Sequence, residues 1–483
     1  MKKIITLLCV LFTGALFAQQ VTLFEQFNGQ YDYLAFGNTL NQAENNADQT
    51  FCEILDSSSA NFTLAAGQTL VSAHLYWAGS GPGDFDVTLN GAGISATRMF
   101  STIFDPGGQN LEFFAGYANI TTLVSLVGNG VYTFSDLTIP DAILQNYCGN
   151  RTNFAGWAVT IIYEDTSLTQ NQVNLYDGLV SVNQVNTTLS ITIDNIEVAS
   201  DMLSKIGFLA WEGDLNAAMG ETLVVEGTPI SNPPLNPANN CFNSTNSFTG
   251  SSELWNMDLD FYSLEDILMS GDTQIQIDLT STQDLVLINN IVTVVNSENP
   301  DATIVIDNVG VLCDNNDLEI AYTVFNINST DVLPAGTPIA FYLDGVLFGQ
   351  TMTINEIPIG GSEMGSVTFN FAPGSTPVVF TLTAVVDDDG IGNSTVDETN
   401  EDNNEFEIIV DLSLQGPNLG PDIFPCDNDI VIIGDDFGPE FTYEWFFNGN
   451  LIFGETGPFV TVFNSGTYKV EAFRGICFVE DEI

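Results

Sequence analysis

Ala158-Val-Thr-Ile-Ile-Tyr163, Leu285-Val-Leu-Ile288, Ile291-Val-Thr-Val-Val295 and Val379-Phe-Thr-Leu-Thr-Ala-Val-Val386 decide the fold class of this chain. Each is dense in β-branched and aromatic side chains, which suit a pleated surface, and each is bounded by the Gly, Asn, Asp and Pro of turns. Helical spacing is brief by comparison. Ile120, Leu123, Val124 and Val127 mark one turn or two, and Leu264, Ile267 and Leu268 mark another. The chain therefore reads as all-β, as serial β-sandwich domains. With 483 residues, 45% of them hydrophobic, it can bury a large core, and at roughly 100–200 residues per domain it holds about three domains.

The charge balance is lopsided, with 62 Asp and Glu against 7 Lys and Arg and a formal net charge of −55. Lys2 and Lys3 sit in a leader, which leaves Arg98, Arg151, Lys205, Lys469 and Arg474 as the fixed cations of the mature chain. Nucleic-acid binding needs clustered Lys or Arg to neutralise phosphates, and docking on anionic lipid needs a basic patch; both are excluded. Residues 1–18 read as a removable signal peptide: Met1-Lys2-Lys3 is the positive region, Ile4 to Phe17 the apolar one, and Ala18 precedes the cleavage point. That apolar stretch is shorter than the roughly 20 residues that span a bilayer, and no later segment does better, so no transmembrane segment is expected. A secreted location follows.

Secretion permits disulfides among Cys52, Cys148, Cys241, Cys313, Cys426 and Cys477, and no C-x-x-C motif supports a zinc or redox site. Cys426 with Cys477 is the first pairing expected, because it closes a small terminal domain; Cys52 with Cys148 is the second. His74 is the only histidine and lies in the strand-like Val71-Ser-Ala-His-Leu-Tyr-Trp77. It reads as a structural residue, with no nucleophile motif beside it. No catalytic residue and no cofactor-binding residue is assigned, and the chain is not expected to be an enzyme.

Linkers at Asn296-Ser-Glu-Asn-Pro-Asp301 and Gln415-Gly-Pro-Asn-Leu-Gly-Pro421 place domains at 19–297, 300–413 and 420–483. The first contains two stretches with the same order of elements, about 19–185 and 186–297. His74-Leu-Tyr-Trp-Ala-Gly79 in one matches Phe208-Leu-Ala-Trp-Glu-Gly213 in the other. Thr228 to Ser252, rich in Pro, Asn, Ser and Thr, reads as a surface loop.

The middle domain opens with Asp301-Ala-Thr-Ile-Val-Ile306 and closes with Val386-Asp-Asp-Asp-Gly-Ile-Gly-Asn-Ser-Thr-Val-Asp-Glu398 and Glu401-Asp-Asn-Asn-Glu-Phe406. It resembles the bacterial cell-adhesion-related domain CARDB, with Glu398, Glu401, Asn403 and Asn404 filling that family's closing motif. Residues 420–483 resemble an immunoglobulin- or PKD-like module through Tyr443-Glu-Trp-Phe-Phe-Asn-Gly449 and Ser465-Gly-Thr-Tyr-Lys-Val470. Val470 stands where an antibody domain has its second cysteine. Residues 21–297 resemble the N-terminal region of surface proteins of gliding outer-membrane bacteria, through Gly156 to Asp165 and Val173 to Gly178. The resemblance implies type IX secretion cargo whose chain continues in further modules beyond Ile483.

One sequence feature suggests a metal. Asp387 to Glu405 is crowded with carboxylates and holds no Lys or Arg. Asp387, Asp389, Asn393 and Glu398 fall at EF-hand-like spacing, with Asp397 beside them, so Ca²⁺ is the one cofactor considered. Ile391 breaks that spacing. The function expected is a secreted, non-enzymatic cell-surface protein for adhesion or surface presentation, its partner a glycan or protein ligand. The alternative is a carbohydrate-binding accessory chain, or a cryptic hydrolase in 21–297, of a polysaccharide-degrading system.

Overall fold

The computed structural model describes residues 20–46, 52–216, 218, 220–312, 317–371, 379–411, 418–424, 430–438, 441–474 and 477–483. Residues 1–19, Cys313 and Cys426 lie outside the described residues, so the expected signal peptide and the Cys426–Cys477 pairing do too. The fold is all-β, as its sequence implies. The chain divides into two compact units, residues 1–299 with 328–331 and residues 300–327 with 332–483.

The first unit begins with β1 (Thr22–Gly29), β2 (Tyr31–Thr39), β3 (Ser57–Phe62), β4 (Gln68–Ser80), β5 (Asp86–Leu89), β6 (Ala92–Ser95), β7 (Arg98–Phe104) and β8 (Leu111–Asn119). Helix α1 (Thr121–Val127), β9 (Gly130–Ser135), helix α2 (Asp141–Cys148) and β10 (Ala155–Asp165) complete its first half. The second half has β11 (Asn171–Val182), β12 (Thr188–Ile193), β13 (Val198–Trp211), β14 (Thr222–Val225), β15 (Thr228–Pro229), β16 (Met257–Ser263), β17 (Ile275–Thr280) and β18 (Val286–Ser297).

The halves share a topology. The first makes a sheet β2-β10-β4-β8-β7 and a smaller one β3-β9-β5-β6; the second makes β1-β11-β18-β13-β16 and β12-β17-β14-β15. Reading β11, β18, β13 and β16 for β2, β10, β4 and β8 gives the same order, and the smaller sheets correspond likewise. Residues Leu264 to Leu268 form a single turn where the first half has α1, with Leu268 N bonded to Leu264 O as Val124 N is to Ile120 O. The two tryptophan motifs do not superpose, however. Trp77 packs in the outer core of its half, with Trp157 and Phe134. Trp211 faces the central core instead. Because side chains alternate along a strand, the motifs match only out of register by an odd number of residues.

Three layers of apolar side chains hold this unit together. Tyr76, Phe113, Leu209, Trp211 and Leu287 share a central cluster drawn from both five-stranded sheets, and each smaller sheet covers an outer cluster. The inner strands are buried on both faces. That is why β18 is buried at every position and why β4, β10 and β11 read as continuous rather than alternating runs.

In the second unit, β19 (Ala302–Leu312), β20 (Asp317–Asn326), β21 (Pro338–Leu343), β22 (Val346–Met352), β23 (Gly361–Asn370), β24 (Val379–Val386) and β25 (Glu405–Asp411) form a sandwich of β19-β20-β23 and β22-β21-β24-β25. Ile304, Ile320, Phe341 and Leu382 fill it. The alternating burial of β23 and β24 is that of strands with one face in the core. The remaining strands, β26 (Val431–Gly434), β27 (Thr442–Phe447), β28 (Asn450–Leu451), β29 (Phe459–Val462), β30 (Tyr468–Arg474) and β31 (Cys477–Glu482), surround a separate core centred on Trp445. Its indole N–H donates to Gly457 O at 2.9 Å.

Candidate functional site

The acidic hairpin that follows β24 ties Asp387, Asp388 and Asp389 to its own backbone. Asp387 is buried and accepts from Thr395 N at 3.0 Å, Thr395 Oγ1 at 2.6 Å and Val396 N at 3.0 Å. Asp388 accepts from Gly390 N, Gly392 N and the Tyr342 hydroxyl. Asp389 accepts from Ile391 N and Asn393 N, and from Asn393 Nδ2 at 3.0 Å; these bonds hold its carboxyl below the usual range. Glu398 is buried, accepts from Ala302 N and Asn404 Nδ2, and burial pushes its carboxyl up to about 8. Asp397 is exposed. Among the described residues, no three Asp, Glu, His or Cys side chains converge as a ready ligand set for a metal.

Beside this hairpin lies an open groove of about 550 Å³, lined by Tyr342, Asp344, Thr381, Asp388, Glu405 and Glu407. Its floor is the solvent face of β21, β24 and β25, and carboxylates border it on several sides. Such a surface accepts hydrogen bonds from hydroxyl and ammonium donors and repels anions.

A second group of acids lies buried in the first unit. Glu44, Glu212, Asp214, Glu221, Asp258 and Asp260 are each at most 7% exposed, and Asp284 is partly buried beside them. Desolvation is the leading cause that raises every one of these carboxyls: Asp260 to about 6, Glu44 and Asp284 to about 8, and Glu221 to about 10. Part of the group is well provided for. Asp260 accepts from Ser247 Oγ at 2.6 Å, Thr245 Oγ1 at 2.7 Å and Asn236 Nδ2 at 3.1 Å. Glu44 accepts from Leu215 N, Ser244 Oγ and Asn256 Nδ2, and Glu212 from Asn45 Nδ2 at 2.8 Å. The rest is provided for in part: Asp214 accepts from Asn256 Nδ2 at 3.1 Å and Asp258 Oδ1 from Thr245 N at 3.2 Å. Both oxygens of Glu221, Oδ2 of Asp258, Oδ2 of Asp284 and Oδ1 of Asn240 are shielded from solvent and receive no hydrogen bond.

The CARDB family profile matches residues 299–408. These residues are a CARDB domain. The CARDB domain of a Pyrococcus furiosus protein, solved in complex with di-metal ions, is similar at 23% identity over 24% of this chain and 94% of that one, TM-score 0.19. Its solution structure gives 28% identity over 24% and 99% of the two chains, TM-score 0.18. The exo-chitosanase of Amycolatopsis orientalis is similar at 9% identity over 58% of this chain and 28% of that enzyme, TM-score 0.17. No curated protein sequence matches the chain.

The CARDB domain thus carries every metal candidate read from the sequence, while the buried acids lie wholly in the first unit. The loop expected at the surface between Thr228 and Ser252 is instead buried from Asn240 to Asn246. Its Asn, Ser and Thr side chains turn inward to serve Asp260 and Glu44, so their polarity reports buried partners rather than water. His74 is fully buried, with Nε2 2.8 Å from Ser72 Oγ and Nδ1 3.0 Å from the Tyr117 hydroxyl, and burial holds its pKa down at about 4. Trp77, Trp157, Trp211 and Trp445 are core residues and Trp255 is half-buried. Cys52 and Cys148 form a disulfide, and Cys241 is a buried free thiol.

Proposed function

We propose that the mature chain is a secreted, non-enzymatic surface protein that serves adhesion or surface presentation. The observation that carries this reading is the CARDB domain at 299–408, which shares its chain with other β-sandwich units. Stacked sheets with large apolar cores give stiff modules that can hold a binding face away from the cell. The acidic groove beside Tyr342 is the face offered, and its carboxylates suit a ligand rich in hydroxyl or ammonium donors, a glycan or a protein. Export by the type IX route, after removal of residues 1–18, and an immunoglobulin- or PKD-like role for the terminal module belong to the same reading.

The test is attachment. Cells that make the chain with Asp344→Asn/Glu405→Gln/Glu407→Gln are compared with wild type for adherence, and both purified chains are applied to immobilised glycans and extracellular proteins. Weaker attachment and weaker binding by the variant support the reading. Unchanged attachment, or turnover of a polysaccharide by the wild-type chain, counts against it.

A further inference from the structure

The two halves of the first unit are built to one plan, which allows the buried acids to be compared with what the plan needs. The strand β16 alternates, with Met257 and Leu259 in the central core and Tyr262 in the outer one, so Asp258 and Asp260 face outward with Tyr262. On β8, the corresponding strand, the outward face carries Phe114 and Ala118 in the outer core. The hairpins β5–β6 and β14–β15 close on matching two-residue turns, Asn90-Gly91 and Glu226-Gly227, all four residues with positive φ. Counting back from these turns, Glu221 stands where the first half has Phe85, which packs on the outer core. The fold is therefore made once with apolar side chains and once with carboxylates at corresponding places. The acids answer to something other than folding.

What they answer to is visible in the acceptors left without donors. Glu221 is fully buried and neither of its oxygens receives a hydrogen bond. The group within hydrogen-bonding reach of it is the carboxyl of Asp284, whose Oδ2 also lacks a donor. Asn240 pairs with Glu221 backbone to backbone and keeps a buried Oδ1 without a donor. Asp258 Oδ2 lies so close to Gly213 that a Cβ there would meet it at 2.3 Å. None of the ion pairs among the described residues involves these acids. Facing acceptors that share no donor are held together only by a proton or a cation between them, and burying carboxylates without either is costly.

We infer that Glu221 and Asp284, with Asn240 Oδ1, hold a divalent cation of the Ca²⁺ class inside the second half of the first unit. The donor set is all oxygen, which suits a hard cation and not zinc or copper. Two carboxylates and an amide leave the remaining positions to water or backbone carbonyls, as Ca²⁺ tolerates. The negative field of Glu212, Asp214 and Asp258 adds to the attraction. This site is independent of the CARDB hairpin and of the adhesive role.

The test uses the full mature chain, stripped with chelator and dialysed against Ca²⁺, with bound metal counted by elemental analysis. One tightly held ion per chain is expected. Glu221→Gln/Asp284→Asn, which keeps the shapes, should weaken its binding by about tenfold or more, and Asp387→Ala/Asp389→Ala should leave that ion in place. Should the double variant not fold, Asn240→Ala supplies the comparison, with weaker Ca²⁺ binding expected. A wild-type chain that holds no Ca²⁺, or one whose ion is lost only in the hairpin variant, overturns the inference; the first result would assign a shared proton to the Glu221–Asp284 pair.

Discussion

Arg98 on β7 pairs with Asp177 on β11, and its guanidinium lies 3.9 Å above the Phe24 ring. Asp177 is 1% exposed and also accepts from the Tyr76 hydroxyl at 3.4 Å. Burial pushes its carboxyl up and the arginine draws it back. The arginine therefore keeps a buried charge tolerable in an interior that has few cations to spare. Arg98→Met should cost about 3–5 kcal/mol, because it leaves Asp177 uncompensated, and Arg98→Met/Asp177→Asn should regain most of that. Urea unfolding of the two variants checks this; equal losses in both would mean the pair is not the reason. In the sequence Arg98 stood out by scarcity alone, since a partner 79 residues away leaves no local trace.

At the scale of elements, the strands were legible because β-branched runs and turn residues are local signals. The turn at Leu264 and helix α1 were visible as short apolar spacings, and α2 carries the same spacing in Leu144, Tyr147 and Cys148. The buried acid site was not legible. With 62 Asp and Glu on the chain, no spacing singles out Glu221 and Asp284, which are brought together by sheet pairing. Residues Asn240 to Asn246 misled for a related reason: composition reports polarity but not whether the partner is water or a buried carboxylate. The Cys52–Cys148 disulfide ties the loop before β3 to the end of α2 across 96 residues, with Cα atoms 5.8 Å apart. Loop-closure entropy over that length is worth about 4–5 kcal/mol. Cys52→Ala/Cys148→Ala should lower the melting temperature of the first unit by several degrees, read by calorimetry. An unchanged transition would show that the crosslink adds nothing to stability.

For the whole molecule, charge dominates. A formal net charge of −55 raises the free energy of the compact state through self-repulsion. The buried carboxyls add a pH dependence of definite sign. Glu44, Asp284 and Glu398 are raised to about 8 and Glu221 to about 10. Each holds its proton in the folded chain after the unfolded chain has released its own. Stability should therefore be highest below about pH 4.5 as far as these groups are concerned, and fall as pH rises through about 8 to 10. Melting temperatures in chelator at pH 5 and pH 8 test this, with the lower value expected at pH 8; a rise would contradict the burial of these acids. Calcium should flatten the fall in the first unit, since a bound ion keeps Glu221 and Asp284 ionised at both pH values.

The central claim, that this chain works on the outside of the cell, is tested most directly by probing intact cells of the organism that makes it. Because no Lys or Arg occurs between Lys205 and Lys469, trypsin is a poor probe of the CARDB domain and proteinase K is the protease to use. An antibody against residues 299–408 should label unbroken cells, and proteinase K should remove that label while a cytoplasmic marker stays intact. Label that appears only after lysis would contradict the claim.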